Sequence, residues 1–275
     1  MYLGIDIGGT HIRIAVGQKG KIEKKEDFPT KTFSESKQDI KKAVDNIGRK
    51  NIHSIGISVP GPIKFRENKI IKPNKFKAWD GVDLAREFEE ILDLPVFIGH
   101  DASLAALAEY TYGKYRGNDP LLYITVSTGI GVGLVTNGSI FHGLYYPHAG
   151  HMYTGSEGLK DWCGQKSDLE STVGGWALQE ISGKKPVEIE GTDLWYKSMD
   201  ILSKGICNFI LSYSPEVVVL GGGMTKHYDM FFRPVINGVN KYLKIFPVPP
   251  IYPPSIEEPS LLGAVTLAES PTILK

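Results

Sequence analysis

The sequence predicts an α/β protein of two lobes, each a mixed sheet flanked by helices, and three observations carry the prediction. Leu3–Ile7 and Leu121–Val126 are apolar runs of the length of a buried strand. Each runs into a turn rich in Gly or Thr, Gly8-Gly9-Thr10 and Ser127-Thr128-Gly129, and then into a returning apolar strand, Ile12–Val16 and Ile130–Val135. Both halves then continue as third strand, helix, strand, helix, strand, the alternation that builds layered α/β units. A cleft between such lobes is a natural ligand site.

The remaining elements follow in order. In the first half, Ile22–Phe28 supplies the third strand, and Ile40, Val44 and Ile47 share one helical face. Ile55–Val59 is a short buried strand, Pro60–Pro73 a Pro-rich hairpin, and Val82–Leu92 a helix. Strand Pro95–Ile98 and helix Ala102–Tyr112 complete the half. In the second half, Asn137-Gly138 is a strong hairpin signal leading to a third strand, Ser139–Phe141. Leu202, Ile206, Phe209, Ile210 and Tyr213 recur at helical spacing, and Val217–Leu220 is a buried strand ending in Gly221-Gly222-Gly223. A helix over about Met230–Leu243, a strand Pro250–Ile256 and a helix Leu261–Ala268 close the series. The expected division is 1–112 plus 261–275 as the smaller lobe and 113–260 as the larger. Residues 143 to about 190 break the repeat. This segment carries His148, His151, Trp162, Cys163 and several carboxylates, with His142 at its edge, and an insertion of that make-up is expected to be functional.

Composition narrows the function. The 275 residues hold 31 Lys+Arg against 31 Asp+Glu, so no basic excess exists to neutralise a run of phosphates, and nucleic acid is not an expected partner. The longest apolar stretch, Leu121–Val135, is broken by Ser127, Thr128 and three glycines, short of the ~20 residues of a spanning helix. No membrane partner is expected. The start of the chain lacks the pattern of a secretory signal, and two cysteines cannot build a disulfide framework, so the cytoplasm is the expected location.

Three glycine-rich turns carry the chemistry. In Asp6-Ile7-Gly8-Gly9-Thr10 the glycines let backbone N–H groups approach an anion, and Thr10 adds a hydroxyl. Asp6, at the end of a buried strand, would hold Mg²⁺ through water or face phosphates through the metal. A plain turn with Asp6 as its acceptor is equally open. Ser127–Gly133 holds the matching place in the other half, so the two loops would grip one polyphosphate from opposite sides. Neither loop is a P-loop or a Rossmann fingerprint. Gly221-Gly222-Gly223 can lie flat against a nucleoside base or simply start a helix. Asp101, between a strand and a helix, is either an N-cap or the acceptor of a proton from a hydroxyl attacking phosphorus. Position alone favours the cap.

Together these residues resemble a known family. Asp6-Ile7-Gly8-Gly9-Thr10, Val59-Pro60-Gly61-Pro62, His100-Asp101-Ala102, Ser127-Thr128-Gly129-Ile130-Gly131, Gly150-His151-Met152, Leu169-Glu170, Gly221-Gly222-Gly223 and Leu261-Leu262-Gly263-Ala264 are similar in order and spacing to the ROK family of sugar kinases and repressors. The match spans nearly the whole chain. It implies actin-like (ribonuclease H-like) lobes with a hexokinase-type cleft, use of ATP and Mg²⁺, and phosphorylation of a hexose or N-acetylhexosamine, usually at the 6-hydroxyl. It implies Asp101 as general base, reversing the cap reading, with Asp6, Gly8, Gly9, Thr10, Thr128 and Gly129 at the phosphates. Gly222 and Gly223 would lie near the adenosine. Gly61, Asn74, His100, Asp101, His148, His151 and Glu170 would contact the sugar. Lobe closure is expected to exclude water until sugar is bound. A homodimer is expected, as is common in the family.

The departures carry as much information. His100 stands where the family has Asn, and His148 where it has Glu. A carboxylate accepts bonds from two adjacent hydroxyls, whereas neutral imidazole accepts one and donates one. Plain glucose specificity is therefore not expected, and another hexose, an N-acetylated or amino sugar, or a polyol stays open, as does a packing role for both histidines. The family's zinc pattern, a His with Cys-x-Cys-Gly and Gly-Cys-Leu-Glu, becomes His151, Asp161-Trp162-Cys163-Gly164 and Ser167-Asp168-Leu169-Glu170. With two thiolates replaced by Asp161 and Asp168, zinc is not expected to be held tightly, and Trp162 and local packing would brace the loop. Two rival functions are a sugar-responsive repressor and a catalytically weak sugar sensor. The first needs a helix-turn-helix ahead of a strand already expected at residue 2. The second has no need of Asp101.

Overall fold

The computed structural model describes residues 1–64, 67, 69–71 and 79–274, and the chain divides into two compact units. The first comprises Met1–Gly117, Gly133–Pro147 and Ser255–Lys275, the second Asn118–Val132 and His148–Pro254.

The first unit begins with β1 (Tyr2–Ile7), β2 (His11–Gln18) and β3 (Lys21–Pro29), then α1 (Phe33–Ile47) and β4 (Ile55–Val59). A small hairpin of β5 (Ile63–Lys64) and β6 (Lys69–Ile70) precedes α2 (Leu84–Leu92), β7 (Val96–His100) and α3 (Asp101–Tyr112). The sheet order is β3-β2-β1-β4-β7, antiparallel among the first three strands and parallel from β1 through β4 to β7. Leu3, Ile5, Ile7, Ile12 and Ile14 form its core, and Ile40, Val44 and Ile47 are the buried face of α1. Helix α1 starts with a capping box, the Thr32 hydroxyl accepting from the Glu35 N–H. Strand β7 runs two residues past the predicted end at Ile98. Gly99, which reads as a breaker, stays in the strand because Leu104 of α3 folds over it where a Cβ would stand.

The second unit carries β8 (Leu121–Val126), and the division between units falls within β9 (Ile130–Thr136), which precedes β10 (Ser139–Ile140). Then come α4 (Leu169–Val173), α5 (Gly175–Ser182), α6 (Asp193–Tyr213), β11 (Val217–Gly221), α7 (Tyr228–Tyr242) and β12 (Ile251–Tyr252). The sheet order is β10-β9-β8-β11-β12. Helices α6 and α7 meet where Gly238 faces Ser203, whose hydroxyl donates to the Met199 and Val235 carbonyls at 2.7 and 3.2 Å. Strand β12 is two residues long rather than the seven predicted, since Pro253 and Pro254 have no N–H to pair.

The chain then adds α8 (Pro259–Glu269) to the first unit. Its backbone lies so close to Gly4 and Gly56 that a Cβ on either would collide with it, and its own Gly263 abuts Leu104 of α3. No helix among the described residues is long and apolar enough to cross a membrane.

Candidate active site

In the first unit, strand register builds a polar row across the sheet. Asp27, Arg13, Asp6, Ser58 and Gly99 are consecutive partners on β3, β2, β1, β4 and β7. The Ser58 hydroxyl donates to Asp6 Oδ1 at 2.7 Å, and Arg13 Nη1 stands 3.4 Å from Oδ2. Arg13 Nε lies 3.4 Å from Asp27 and 3.6 Å from Glu258. Burial pushes the Asp6 carboxyl up to about 6 against the pull of Ser58, with the charge of Asp101 adding and Arg13 opposing. Beyond Asp6, the turn closes through the Gly8 N–H to the His11 carbonyl at 2.9 Å, and Thr30 braces it, N–H to the Thr10 carbonyl and hydroxyl to the Gly8 carbonyl. Gly9 and Thr10 are exposed.

His100 is the N-cap of α3, and Asp101 is its first residue, so Asp101 is not the cap that position alone suggested. Its Oδ1 accepts the Ala102 N–H at 2.6 Å, its side chain is 34 % exposed, and burial pushes its carboxyl up to about 6. The His100 ring is 4 % exposed and stacks on Tyr146 at 5.8 Å between centroids. Its Nδ1 is 3.4 Å from the Ser103 hydroxyl and its Nε2 3.3 Å from Asp101 Oδ1. Burial holds His100 down to about 4, so the ring is neutral at physiological pH. Gly61 follows β4 and is partly exposed, while Asn74 lies outside the described residues.

In the second unit, a corner of the chain encloses the loop after β8. The N–H groups of Gly175 and Trp176, at the start of α5, donate to the Ser127 and Thr128 carbonyls at 2.9 Å each. Glu170 of α4 accepts the Ile130 N–H through Oε2 at 2.8 Å. Gly129 must lack a Cβ because the Glu170 carboxylate occupies that space. Gly222, at φ 102°, is in the region that favours glycine, and its missing Cβ leaves room for the Val126 backbone. Gly223 sits beside Ser127, and Thr128 is exposed. The second unit thus brings Thr128, Gly129, Glu170, Gly222 and Gly223 together.

The same unit holds a tight polar knot. His151 Nδ1 lies 2.8 Å from Asp168 Oδ2 and 3.3 Å from Asp161 Oδ2, both carboxylates being fully buried. Asp168 caps α4, accepting the Ser171 N–H at 2.7 Å. Asp161 Oδ1 accepts the Cys163 and Gln165 N–H groups, and the Cys163 thiol donates to Oδ2 at 3.1 Å. Ligand atoms of His151, Asp161 and Cys163 all lie within 4.8 Å of one another. Burial opposes charge on His151, yet its bond to Asp168 and the charges of Glu170, Asp168 and Asp161 outweigh burial and raise its pKa. Burial, then Asp161, raises the Cys163 thiol. Glu170 is raised by burial against the Ile130 N–H and His151. His148 is partly buried, its ring 6.5 Å from that of His151.

Sequence reasoning missed Ser58, Arg13, Tyr146 and Trp176. Ser58, the one hydroxyl in an apolar strand, and the Gly174-Gly175 pair, a mark of close backbone approach, were signals that could have found two of these contacts. Tyr146 and Trp176 offered none.

Comparison with known proteins adds the last observations. The ROK family description matches residues 2–270. The N-acetylmannosamine kinase of Vibrio cholerae is 30 % identical over 244 residues, covering 81 % of this chain and 83 % of that one. The ROK hexokinase of Thermus thermophilus superposes with a TM-score of 0.87 at 28 % identity over 98 % of each chain. A ROK family glucokinase from Streptomyces griseus, solved with glucose and AMPPNP, gives a TM-score of 0.85 at 22 % identity over 98 % of this chain and 99 % of its own. The fold is the actin-like one that the sequence led us to expect.

Proposed function

The chain belongs to the ROK family and is a carbohydrate kinase, and from that footing we propose that Asp101 takes the proton from the sugar hydroxyl that attacks ATP. The observation that carries this reading is the Asp101 carboxylate itself. It is not consumed as a helix cap, it is held by one backbone N–H, it is partly open, and burial raises its basicity to about 6. Such a group is ionised at neutral pH yet a better base than an ordinary Asp. It is still a weak base, so alignment and charge neutralisation supply most of the rate.

In this proposal Asp6, Gly8, Gly9, Thr10, Thr128 and Gly129 hold the triphosphate of ATP, with Gly222 and Gly223 against the adenosine. Ser58 and Arg13 already face both oxygens of Asp6, so Asp6 would meet Mg²⁺ through water or through the phosphates rather than as a direct ligand. When bound, Mg²⁺ offsets charge on the β- and γ-phosphates.

The acceptor we propose is a hexose or N-acetylhexosamine, phosphorylated at the 6-hydroxyl, with Gly61, Asn74, His100, His148, His151 and Glu170 as its contacts. The V. cholerae relative supports the N-acetylated class. A structural zinc does not fit the knot at His151. The single thiol donates a hydrogen bond to Asp161, the other two thiolates of the family pattern are Asp161 and Asp168, and backbone N–H groups already hold Oδ1 of each carboxylate. Metal analysis of the purified protein tests this, one zinc per chain being the contrary result. A homodimer, from the family resemblance, and a cytoplasmic location, from the two cysteines, complete the proposal.

The deciding experiment is ADP release over hexoses, N-acetylhexosamines, amino sugars and polyols, with Asp101→Asn beside the wild type. The substitution is expected to lower kcat by roughly 10²–10⁴-fold while sugar affinity changes little. Absence of sugar-stimulated turnover in the wild type would replace the kinase with a sugar sensor. His148→Glu should reorder the preferred sugars, and an unchanged order removes His148 from the pocket.

A further inference from the structure

We infer that Glu170 is a positioning residue that couples sugar occupancy to the grip of the Ser127–Ile130 loop on nucleotide. The inference rests on the reading above, in which Glu170 and His151 touch sugar and the loop touches phosphate, and it adds a role that reading does not contain.

The argument begins with the loop's attachments. The Ser127 and Thr128 carbonyls accept from the N–H groups of Gly175 and Trp176, and the Ile130 N–H donates to Glu170 Oε2. The loop is therefore fixed at its start by α5 and at its end by one carboxylate of α4. Gly129, between these points, packs directly on that carboxylate, so a shift of Glu170 moves the loop or opens a gap beneath it. Glu170 is only 9 % exposed, which leaves it few alternative positions.

A carboxylate has acceptor capacity on both oxygens. Oε2 holds the Ile130 N–H and the Trp162 side chain also bonds the carboxylate, which still leaves acceptor capacity for a sugar hydroxyl, and together these bonds would fix the end of the side chain. Helix α4 adds the second link. Asp168 caps it and faces His151 Nδ1 at 2.8 Å, while Glu170, two residues on, holds the loop. Of the two proposed sugar contacts, Glu170 is thus carried by α4 and His151 is tied to the cap of that helix, whose next corner, Gly174 to Trp176, holds the other end of the loop. Sugar that orders Glu170 and His151 orders the loop, and by linkage nucleotide tightens sugar by the same factor.

The test is AMPPNP binding by calorimetry, with and without the sugar that the wild type phosphorylates best, together with hydrogen exchange at the Ile130 amide. Wild type should bind AMPPNP roughly 3–10-fold tighter with sugar, within the usual range of coupling between sites. Glu170→Gln keeps an acceptor for Ile130 but offers sugar a donor. It should lose less AMPPNP affinity without sugar than the alanine variant, and at sugar concentrations that saturate it the enhancement should be gone. Glu170→Ala should weaken AMPPNP binding roughly 5–10-fold even without sugar and speed exchange at Ile130, as loss of a charge-assisted bond predicts. AMPPNP affinity and Ile130 exchange unchanged in the alanine variant would overturn the inference, as would a sugar enhancement retained by the glutamine variant. Should Glu170→Ala not fold, the glutamine variant alone decides. Failure of the kinase reading is seen separately, as wild type that releases no ADP with any sugar.

Discussion

The two glycine-rich loops occupy the same place in the two halves of the fold, and each closes on itself, but they are braced from different parts of the chain. Gly8–Thr10 is a hairpin turn that closes on itself through His11 and leans on Thr30, with its tip in solvent. Ser127–Ile130 also closes on itself, Ser127 N–H to the Gly129 carbonyl at 2.9 Å, and is held in addition by the α5 N-terminus and by a buried carboxylate. A repeated strand-turn-strand unit thus yields one loop braced by the residue that follows its own third strand and one braced by a segment forty residues later. The difference teaches that like motifs need not share energetics, and that the loop braced by the later segment is the one open to control.

The sharpest way to break this contrast is to add a methyl group to each loop. Gly129→Ala drives it into the Glu170 carboxylate, and kcat/KM for ATP should fall roughly 100-fold, whereas Gly8→Ala meets only the His11 carbonyl at 3.0 Å and should lose a few-fold. Equal losses in steady-state assays would erase the asymmetry. Next in size, Gly222→Ala combines a left-handed φ with collision against Val126 and should cost about 2 kcal/mol in urea unfolding, while Gly8→Ala, at an ordinary φ, should cost less.

A third effect separates the loops by pH. Asp6 and Asp101, both in the first unit, sit at about 6 rather than the ordinary 3.8. Activity should therefore climb as pH rises through about 6 and level off by pH 7, the base being protonated below. Stability runs the other way. The folded state binds more protons than the unfolded between 3.8 and about 6, so Asp6's contribution is greatest at acid pH and is lost as pH rises through its folded value. Asp6→Asn should consequently stabilise the protein at pH 7–8 by on the order of 1–2 kcal/mol, a gain that shrinks toward pH 4 in thermal unfolding. The smallest effect sharpens the common ground. Thr10→Ala and Thr128→Ala, both exposed hydroxyls, should each raise the KM for ATP several-fold, about 0.5–1.5 kcal/mol for one lost bond.

Which parts were legible in the sequence follows from the same physics. Strands β1, β2, β8 and β11 announce themselves because apolar runs of five or six residues flanked by glycine have few other solutions. Helices α4 and α5 do not, since five and eight residues span too few turns to show a period. The site divides likewise. Asp6, at the end of a strand, and Thr10, Thr128, Gly129 and Gly222, in the turns, have local sequence that betrays them, and the structure groups the last three with Glu170. The Ser58–Asp6–Arg13 row depends on register between strands fifty residues apart, and the Glu170–Ile130 bond on a corner with no local signature. The replacement of an N-cap aspartate by His100 was invisible for another reason: the strand continues through Gly99, which shifts the helix start by one residue.

Helix α8 has a consequence for biosynthesis. During translation the first 117 residues emerge long before 259–269, so the sheet face around Gly4 and Gly56 waits uncovered while residues of the other unit are being made. Slow ribosomal decoding late in the message, or a missing holding chaperone, should therefore leave a sticky nascent chain, and aggregation in the cell should track synthesis rate more than the finished enzyme's melting temperature.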